Sequence, residues 1–322
     1  GNFNNEIGLP HTLLEITPTT EIAVTEMGMR GLGQIKAMCA FAKPDVAVIT
    51  NVGSTHVGEL GSLANIAKAK SEILEDLPQD GFAVLNGDLP RVRAMESKLH
   101  VPVSWFGLQP EDDVRAEAVE ITATGSTFLC KAGTEEATIF LPLIGEHNVM
   151  NALAAIAVGR YFGVKLNDMK NALAAVRITD SRQEVLHFGS YTVIDDAYNA
   201  SPASMKAALK TLKDISGKRR TIAVLGNMFE LGQREREGHM EVGQAAAELG
   251  IDCMVTVGQL AGLAAEEAEK AGMKAGAIFK CTDTPEAVDR LKALVGEGDV
   301  ILVKGSRGMR MEEIISGLLE TP

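Results

Sequence analysis

From residue 191 to residue 319 the chain alternates short apolar runs with amphipathic stretches of helical length, each pair joined by a turn. The apolar runs fall at 191–195, 221–225, 252–257, 276–280 and 299–303, and the helical stretches at 202–214, 234–249, 259–271, 285–295 and 309–319. Strict alternation of this kind builds βαβ units, because parallel strands need a long crossover that is usually a helix. It predicts an α/β fold with a mostly parallel sheet and excludes sandwiches, barrels of antiparallel strands and helical bundles for this half.

The first half alternates less regularly. Glu21–Gly28 (EIAVTEMG), Asp45–Asn51 (DVAVITN) and 81–86 (GFAVLN) read as buried strands. Residues 62–77 read as a helix, with Ser62 as N-cap and Pro78 ending it. Residues 115–143 carry β-type segments around Gly125 and Gly133, as an antiparallel insertion or edge would. Two helices, 146–162 and 167–176, precede a polar break at 177–182. This predicts two domains, 1–178 and 179–322.

Composition enters by exclusion. The 43 acidic residues outnumber the 31 basic ones, a net charge of −12, which argues against a protein that coats nucleic acid or an anionic membrane. The longest apolar stretch, Ala152–Val158, is far short of the roughly 20 residues a membrane span needs. Residues 1–20 contain no lysine or arginine and no apolar core, so no signal peptide is read there. Cys39, Cys130, Cys253 and Cys281 form no CxxC pair and read as buried free thiols of a cytoplasmic protein.

Ligands of open α/β sheets bind at the carboxyl ends of strands. There this chain places Glu26, the run Asn51–His56, the DDAYN stretch with Asp195, Asp196, Tyr198 and Asn199, the GNMFELG stretch 226–232, and Lys304-Gly305-Ser306. Polar residues at one edge of both sheets are expected to flank a cleft. Lys70 stands out on its helix. Leu63, Ile66, Ala67, Leu74 and Leu77 form an apolar stripe, and Lys70 fills its empty place. Such a lysine either snorkels to water or is an amine kept reactive by burial. Glu26 reads as a partner of Arg30 or as a site carboxylate, and His56 as a satisfied loop histidine or a ligand. Glu26, His56 and a modified Lys70 together would suit an oxygen-rich Mg²⁺ site. The GMRGLGQ stretch lacks the glycine spacing of a dinucleotide loop, and the chain contains no GxxxxGK[ST] phosphate loop.

The stretches GNFNNEIGLPHTLL (1–14), EMG (26–28), TNVGSTHVGELGS (50–62), AKAKSEIL (67–74), LPLIGEHNVMNALAAIAVG (141–159), IDDAYNASPASMKAAL (194–209), LGNMFELG (225–232) and LVKGSRGMRMEEI (302–314) occur in one order from end to end. In them the chain resembles the Mur ligases of peptidoglycan synthesis. Its opening residues and the DDAYNA and KGSR motifs favour the branch that joins D-alanyl-D-alanine to UDP-N-acetylmuramoyl-tripeptide.

The resemblance implies a central ATP-binding domain followed by a Rossmann-like C-terminal domain, with ATP and Mg²⁺ as cofactors. It implies Mg²⁺ ligands at Glu26, His56 and a carbamylated Lys70, and adenine contacts at Asn148 and Asn151. Arg182 would meet a phosphate of ATP and Asp196 its ribose. Tyr198, Asn199, Lys304 and Ser306 would lie near the incoming dipeptide, and Asn2, Asn4 and Asn5 by the UDP-sugar-peptide. A monomeric cytoplasmic bacterial enzyme of cell-wall biogenesis, acting in cell shape and division, is the implied setting. The family's N-terminal domain and phosphate loop would lie upstream of Gly1, so the chain reads as cut at the front. Two other readings stay open: a non-catalytic binding fragment, and another amide ligase of the superfamily, of folylpolyglutamate or cyanophycin type. Gln34 and Asn227 stand where the family pattern has acidic residues.

Overall fold

The structure is a computed structural model that describes residues 3–53, 57–177 and 183–319. The fold is α/β, with two six-stranded sheets. By compactness the chain forms two units. The first comprises Gly1–Glu117, Cys130–Ala137 and Met150–Leu166, and the second Ala118–Leu129, Thr138–Val149 and Asn167–Pro322. The expected boundary at residues 178–179 lies outside the described residues.

The first part of the chain runs α1 (Gly8–Leu14), α2 (Gln34–Ala42), β1 (Val46–Ile49), α3 (Val57–Leu60), α4 (Leu63–Glu75), β2 (Phe82–Asn86), α5 (Pro90–Arg93), β3 (Val103–Gly107), β4 (Val114–Thr122), β5 (Gly125–Ala132), β6 (Glu135–Leu141), α6 (Glu146–Tyr161) and α7 (Leu166–Ala174). The strands lie in the order β1-β2-β3-β4-β5-β6. The pairs β1–β2, β2–β3 and β3–β4 are parallel. The two-residue connections after β4 and β5 are too short for a crossover, which accounts for the antiparallel character read at 115–143. Ala47, Ile49, Ala83 and Leu85 of β1 and β2 pack against Ile35 and Met38 of α2 and Ile66, Ala69 and Leu74 of α4. Ser62 caps α4 as its sequence predicts, its Oγ accepting from the Asn65 N–H at 3.1 Å.

The strand expected at Glu21–Gly28 does not form. Its apolar alternation is real, but Ile22 and Val24 are exposed, Val24 at 88 %. A strand needs a neighbouring strand to take its backbone N–H and C=O groups, and among the described residues no strand pairs with this segment. Helices α1 and α2 were not anticipated.

The second part runs β7 (Glu184–Phe188), β8 (Tyr191–Asp196), α8 (Pro202–Ser216), β9 (Thr221–Gly226), α9 (Glu235–Glu248), β10 (Cys253–Val257), α10 (Ala261–Lys270), β11 (Ile278–Cys281), α11 (Thr284–Leu294), β12 (Val300–Lys304) and α12 (Glu312–Leu319). Five of these strands match the predicted alternation. The exception is β7, an antiparallel edge strand paired with β8. The order is β11-β10-β9-β12-β8-β7, so β12 inserts between β8 and β9.

Alternate residues of these strands feed two cores. Ile194, Ala223, Leu225, Met254 and Leu302 pack with α8, α9 and α10. Val193, Val224, Val255, Ile301 and Val303 pack with α11 and α12. A sheet covered on both faces explains why its strands read as unbroken apolar runs. All four cysteines are free and buried. No helix among the described residues is long and apolar enough to cross a membrane.

Candidate functional site

In the first unit the site residues gather around Glu26. The Asn4 Nδ2 donates to Glu26 Oε1 at 2.8 Å. The Gly28 N–H donates to the Asn4 carbonyl at 2.6 Å, so the opening segment is pinned beside the EMG triplet. A side chain at position 28 would crowd the Asn4 carboxamide, with its Cβ only 3.1 Å away. Asn5 does something different. Its Oδ1 accepts from the backbone N–H groups of Ile7 (3.1 Å) and Gly8 (2.7 Å) and so secures the start of α1.

Lys70, on α4, is partly buried. Burial pushes its ammonium below the ordinary lysine range, and the Glu26 carboxylate pulls the other way. This places the lysine within the electrostatic reach of Glu26 and favours an amine that gives up its proton more readily. The buried face of α4 is formed by Ile66, Ala69, Ser71, Glu72 and Leu74, so Lys70 flanks that face rather than occupying its centre.

The residue of α4 that sequence reasoning passed over is Glu72. It is buried, and its carboxylate accepts from the N–H groups of Gly33 (2.6 Å) and Lys36 (3.1 Å) at the start of α2. A carboxylate at a helix N-terminus satisfies orphan donors and the helix dipole together. Gln34 serves the same turn, its Oε1 accepting from the N–H groups of Arg30 (2.6 Å) and Gly31 (3.1 Å). An amide oxygen suffices for those two bonds, which explains why glutamine is tolerated where the family pattern has a glutamate.

In the second unit the site residues stand at the carboxyl ends of β8, β9 and β12. Register sets Lys304 opposite Asp196. Lys304 is only 3 % exposed, and its Nζ lies 2.7 Å from Asp196 Oδ2 and donates to the Asn199 carbonyl at 2.8 Å. Burial raises the Asp196 carboxyl above its usual range, while Lys304 and then the Gln183 carboxamide counter it. Asp195 takes a backbone role, accepting the Ala197 N–H at 3.1 Å. Asn199 Oδ1 accepts the neighbouring Ala200 N–H at 2.8 Å. Tyr198 lies between these two turns.

Ser306 ties two motifs together. Its Oγ accepts the Phe229 N–H at 2.9 Å, and its own N–H donates to the Asn227 carbonyl at 3.0 Å. Asn227 Oδ1 in turn accepts the Ala261 N–H at the start of α10, at 2.8 Å, a bond an aspartate would make equally well. Gly305 approaches Gly226 so closely that its Cβ would lie 3.2 Å from the Gly226 Cα.

His239 holds the same turn from beneath. Its Nε2 accepts the Met228 N–H at 2.9 Å and its Nδ1 lies 2.7 Å from the Glu235 carbonyl. Burial keeps its pKa below the usual histidine range.

On α6, Asn148 Nδ2 donates to the Ile144 carbonyl at 2.8 Å, and Asn151, three residues on, is exposed. His147 beside them is neutral near pH 7, its pKa lowered to about 4 by burial and then by the Lys304 charge. Among the described residues the structure therefore brings together Asn4 with Glu26 and Lys70, and Asp196 with Lys304 and Asn199. Asn2, His56 and Arg182 lie outside the described residues. Sequence reasoning missed His147, Gln183 and His239. His147 lies within the stretch 141–159 and Gln183 directly follows Arg182, whereas His239 lies in no motif.

Residues 1–159 match the Mur ligase middle domain, and residues 181–307 the Mur ligase glutamate ligase domain. The chain is similar to the UDP-N-acetylmuramoyl-tripeptide--D-alanyl-D-alanine ligase of Bacillus subtilis (strain 168), with 41% identity over 323 residues, covering 100% of this chain and 69% of that one. It superposes on the crystal structure of MurF from Acinetobacter baumannii with a TM-score of 0.89 at 30% identity, covering 100% of this chain and 70% of that chain. MurF from Thermotoga maritima, solved in complex with ADP, gives a TM-score of 0.85 at 29% identity, covering 98% of this chain and 71% of that chain.

Proposed function

The chain belongs to the Mur ligase family, and from that premise we propose that it joins D-alanyl-D-alanine to UDP-N-acetylmuramoyl-tripeptide in an ATP-driven reaction of peptidoglycan synthesis. The observation that carries this reading is the 41% identity, over the whole chain, to a ligase named for that reaction. The relative solved with ADP supports a nucleotide on the same scaffold.

In the proposed reaction the terminal carboxylate of the tripeptide attacks the γ-phosphoryl group, and ADP leaves. The amine of the dipeptide then attacks the acyl phosphate carbonyl, and phosphate leaves as the amide forms. Both reactants of the first step are anions, so positive charge must be concentrated where they meet. This requirement is sharpened by the chain's net charge of −12.

Glu26, His56 and Lys70 are the residues we assign to Mg²⁺. A hard cation prefers oxygen donors, and Glu26 supplies a carboxylate. No group of three acidic, histidine or cysteine side chains converges among the described residues. A carbamate on Lys70 would add oxygen donors, and it forms only from an unprotonated amine. The lowered pKa of Lys70 favours that form. The ion, when bound, supplies charge neutralisation at the phosphoryl oxygens.

We assign Asn148 and Asn151 to the adenine, Asp196 to the ribose and Arg182 to a phosphate. Asn2 and Asn4 belong on the side of the UDP-sugar-peptide, and Asn5 shapes that segment through α1. On the dipeptide side, Tyr198 and Asn199 are candidate contacts. Lys304 and Ser306 hold the DDAYN and GNMFELG turns in register and keep one donor each for a substrate. The domains are taken as 1–178 and 179–322, in a cytoplasmic monomer.

The test is phosphate release by the native protein. It should require ATP, the UDP-linked tripeptide and D-alanyl-D-alanine together. Equal release with free D-alanine in place of the dipeptide would sink the assignment.

A further inference from the structure

Gln183 stands just before β7 in a left-handed backbone conformation, with φ of 60°. Only glycine, and to a lesser degree asparagine and aspartate, adopt that region without cost. The residue is nevertheless buried, with 7 % of its surface exposed. The β7–β8 register sets Glu184 opposite Asp195 and so carries Gln183 on beside Asp196, whose ionised form its carboxamide favours. A carboxylate only accepts, so the amide nitrogen must face it, and the carbonyl oxygen is left over. That Oε1 is buried and has no hydrogen-bond partner among the described residues.

The strained backbone fixes this side chain in place, and a ligand donor would satisfy the buried acceptor that has no partner among the described residues. The neighbourhood narrows the ligand. Two acceptors, the Asp196 carboxylate and the Gln183 carbonyl, stand side by side, which repels a phosphate. Lys304 already balances the Asp196 charge at 2.7 Å, which disfavours a second cation. A neutral group with two adjacent O–H donors fits best, and a vicinal diol is such a group.

We propose that Gln183 is a nucleotide-binding residue whose Oε1 accepts a hydrogen bond from a ribose hydroxyl of ATP beside Asp196. The inference rests on the reading that Asp196 faces the ribose.

The test compares ATP with 2′-deoxy-ATP and 3′-deoxy-ATP as substrates of the native protein and of the Gln183→Leu and Gln183→Gly variants. The glycine variant accepts the left-handed backbone, so it decides the matter if the leucine variant folds poorly. Loss of one neutral hydrogen bond should cut the preference for ATP over one of the deoxynucleotides by about three- to tenfold. It should appear as a raised KM for ATP with kcat maintained. Variants that keep the full preference against both deoxynucleotides overturn the proposal. If an Asp196→Asn variant loses the preference while the Gln183 variants keep it, this inference alone fails. If the native protein shows no preference for either hydroxyl, the ribose reading of Asp196 fails first and takes the inference with it.

Discussion

Replacing Lys304 by methionine should unbalance the centre of the second sheet in a way that depends on pH. The side chains of Lys304 and Asp196 are 4 % and 11 % exposed and sit 2.7 Å apart. Methionine keeps the length and packing of the lysine stem and removes the charge. Asp196 is then left as an uncompensated buried carboxylate, with a loss of about 3–5 kcal/mol at pH 8.

The sign of the pH effect follows from linkage. Burial already raises the Asp196 carboxyl above its unfolded value, and removing Lys304 removes the main force opposing that rise. A carboxyl with a raised folded pKa binds its proton more tightly when native, so stability falls as pH rises through that window. The deficit of the variant should therefore shrink as pH falls through the raised folded pKa, and it levels off below about pH 4, the ordinary carboxylate value, where the acid becomes neutral in both states.

Urea unfolding of both proteins at pH 5 and pH 8 measures this. A variant deficit at pH 8 exceeding that at pH 5 by about 1 kcal/mol or more is expected. Adding Asp196→Leu to the variant should recover most of the loss at pH 8, because a buried pair replaced by apolar groups is often neutral. An equal deficit at both pH values, or no recovery in the double variant, would refute the reasoning.

Lys70→Ala should lower ligase activity by about a hundredfold or more, if the side chain supplies charge-stabilising oxygens in the transition state. A small carboxylic acid should restore part of that activity, and an unchanged rate in the variant would remove Lys70 from the mechanism. Glu72→Ala removes a buried helix cap, and the urea midpoint should fall by the equivalent of about 1–2 kcal/mol. Gly243→Ala adds a Cβ 2.0 Å from the Ala264 carbonyl oxygen, where α9 crosses α10. The roughly 1 kcal/mol gained in helix propensity should be outweighed by overpacking of about 1–3 kcal/mol, giving a net loss in thermal denaturation.

The second sheet was legible in the sequence because burial on both faces writes each strand as an apolar run, and every helix between them is long enough to show its period. The first half was less so. Glu21–Gly28 carries the pattern of a strand, but pattern alone cannot supply a neighbour. Helices α1 and α2 escaped because their start signals are remote or unusual. α2 is capped by Glu72, 38 residues past its first helical residue at Gln34, and no local spacing encodes that.

The same contrast holds at the site. Lys70, Asp196 and Lys304 stood out by their place on an element or at its end. Gln183 did not, because a left-handed backbone and an orphaned acceptor are properties of packing. The pairing of Lys304 with Asp196 was likewise invisible until the strand order put β12 beside β8.

The ring of His239 has a further use. With Nε2 accepting from Met228 and Nδ1 against the Glu235 carbonyl, only one neutral tautomer satisfies both bonds. Its two ring nitrogens should therefore give widely separated ¹⁵N resonances, one of pyrrole type and one of pyridine type. A change in the Met228–His239 bond should shift the pyridine-type signal. The fold thus carries a native spectroscopic probe of the GNMFELG turn, buried out of reach of solvent, that needs no added label.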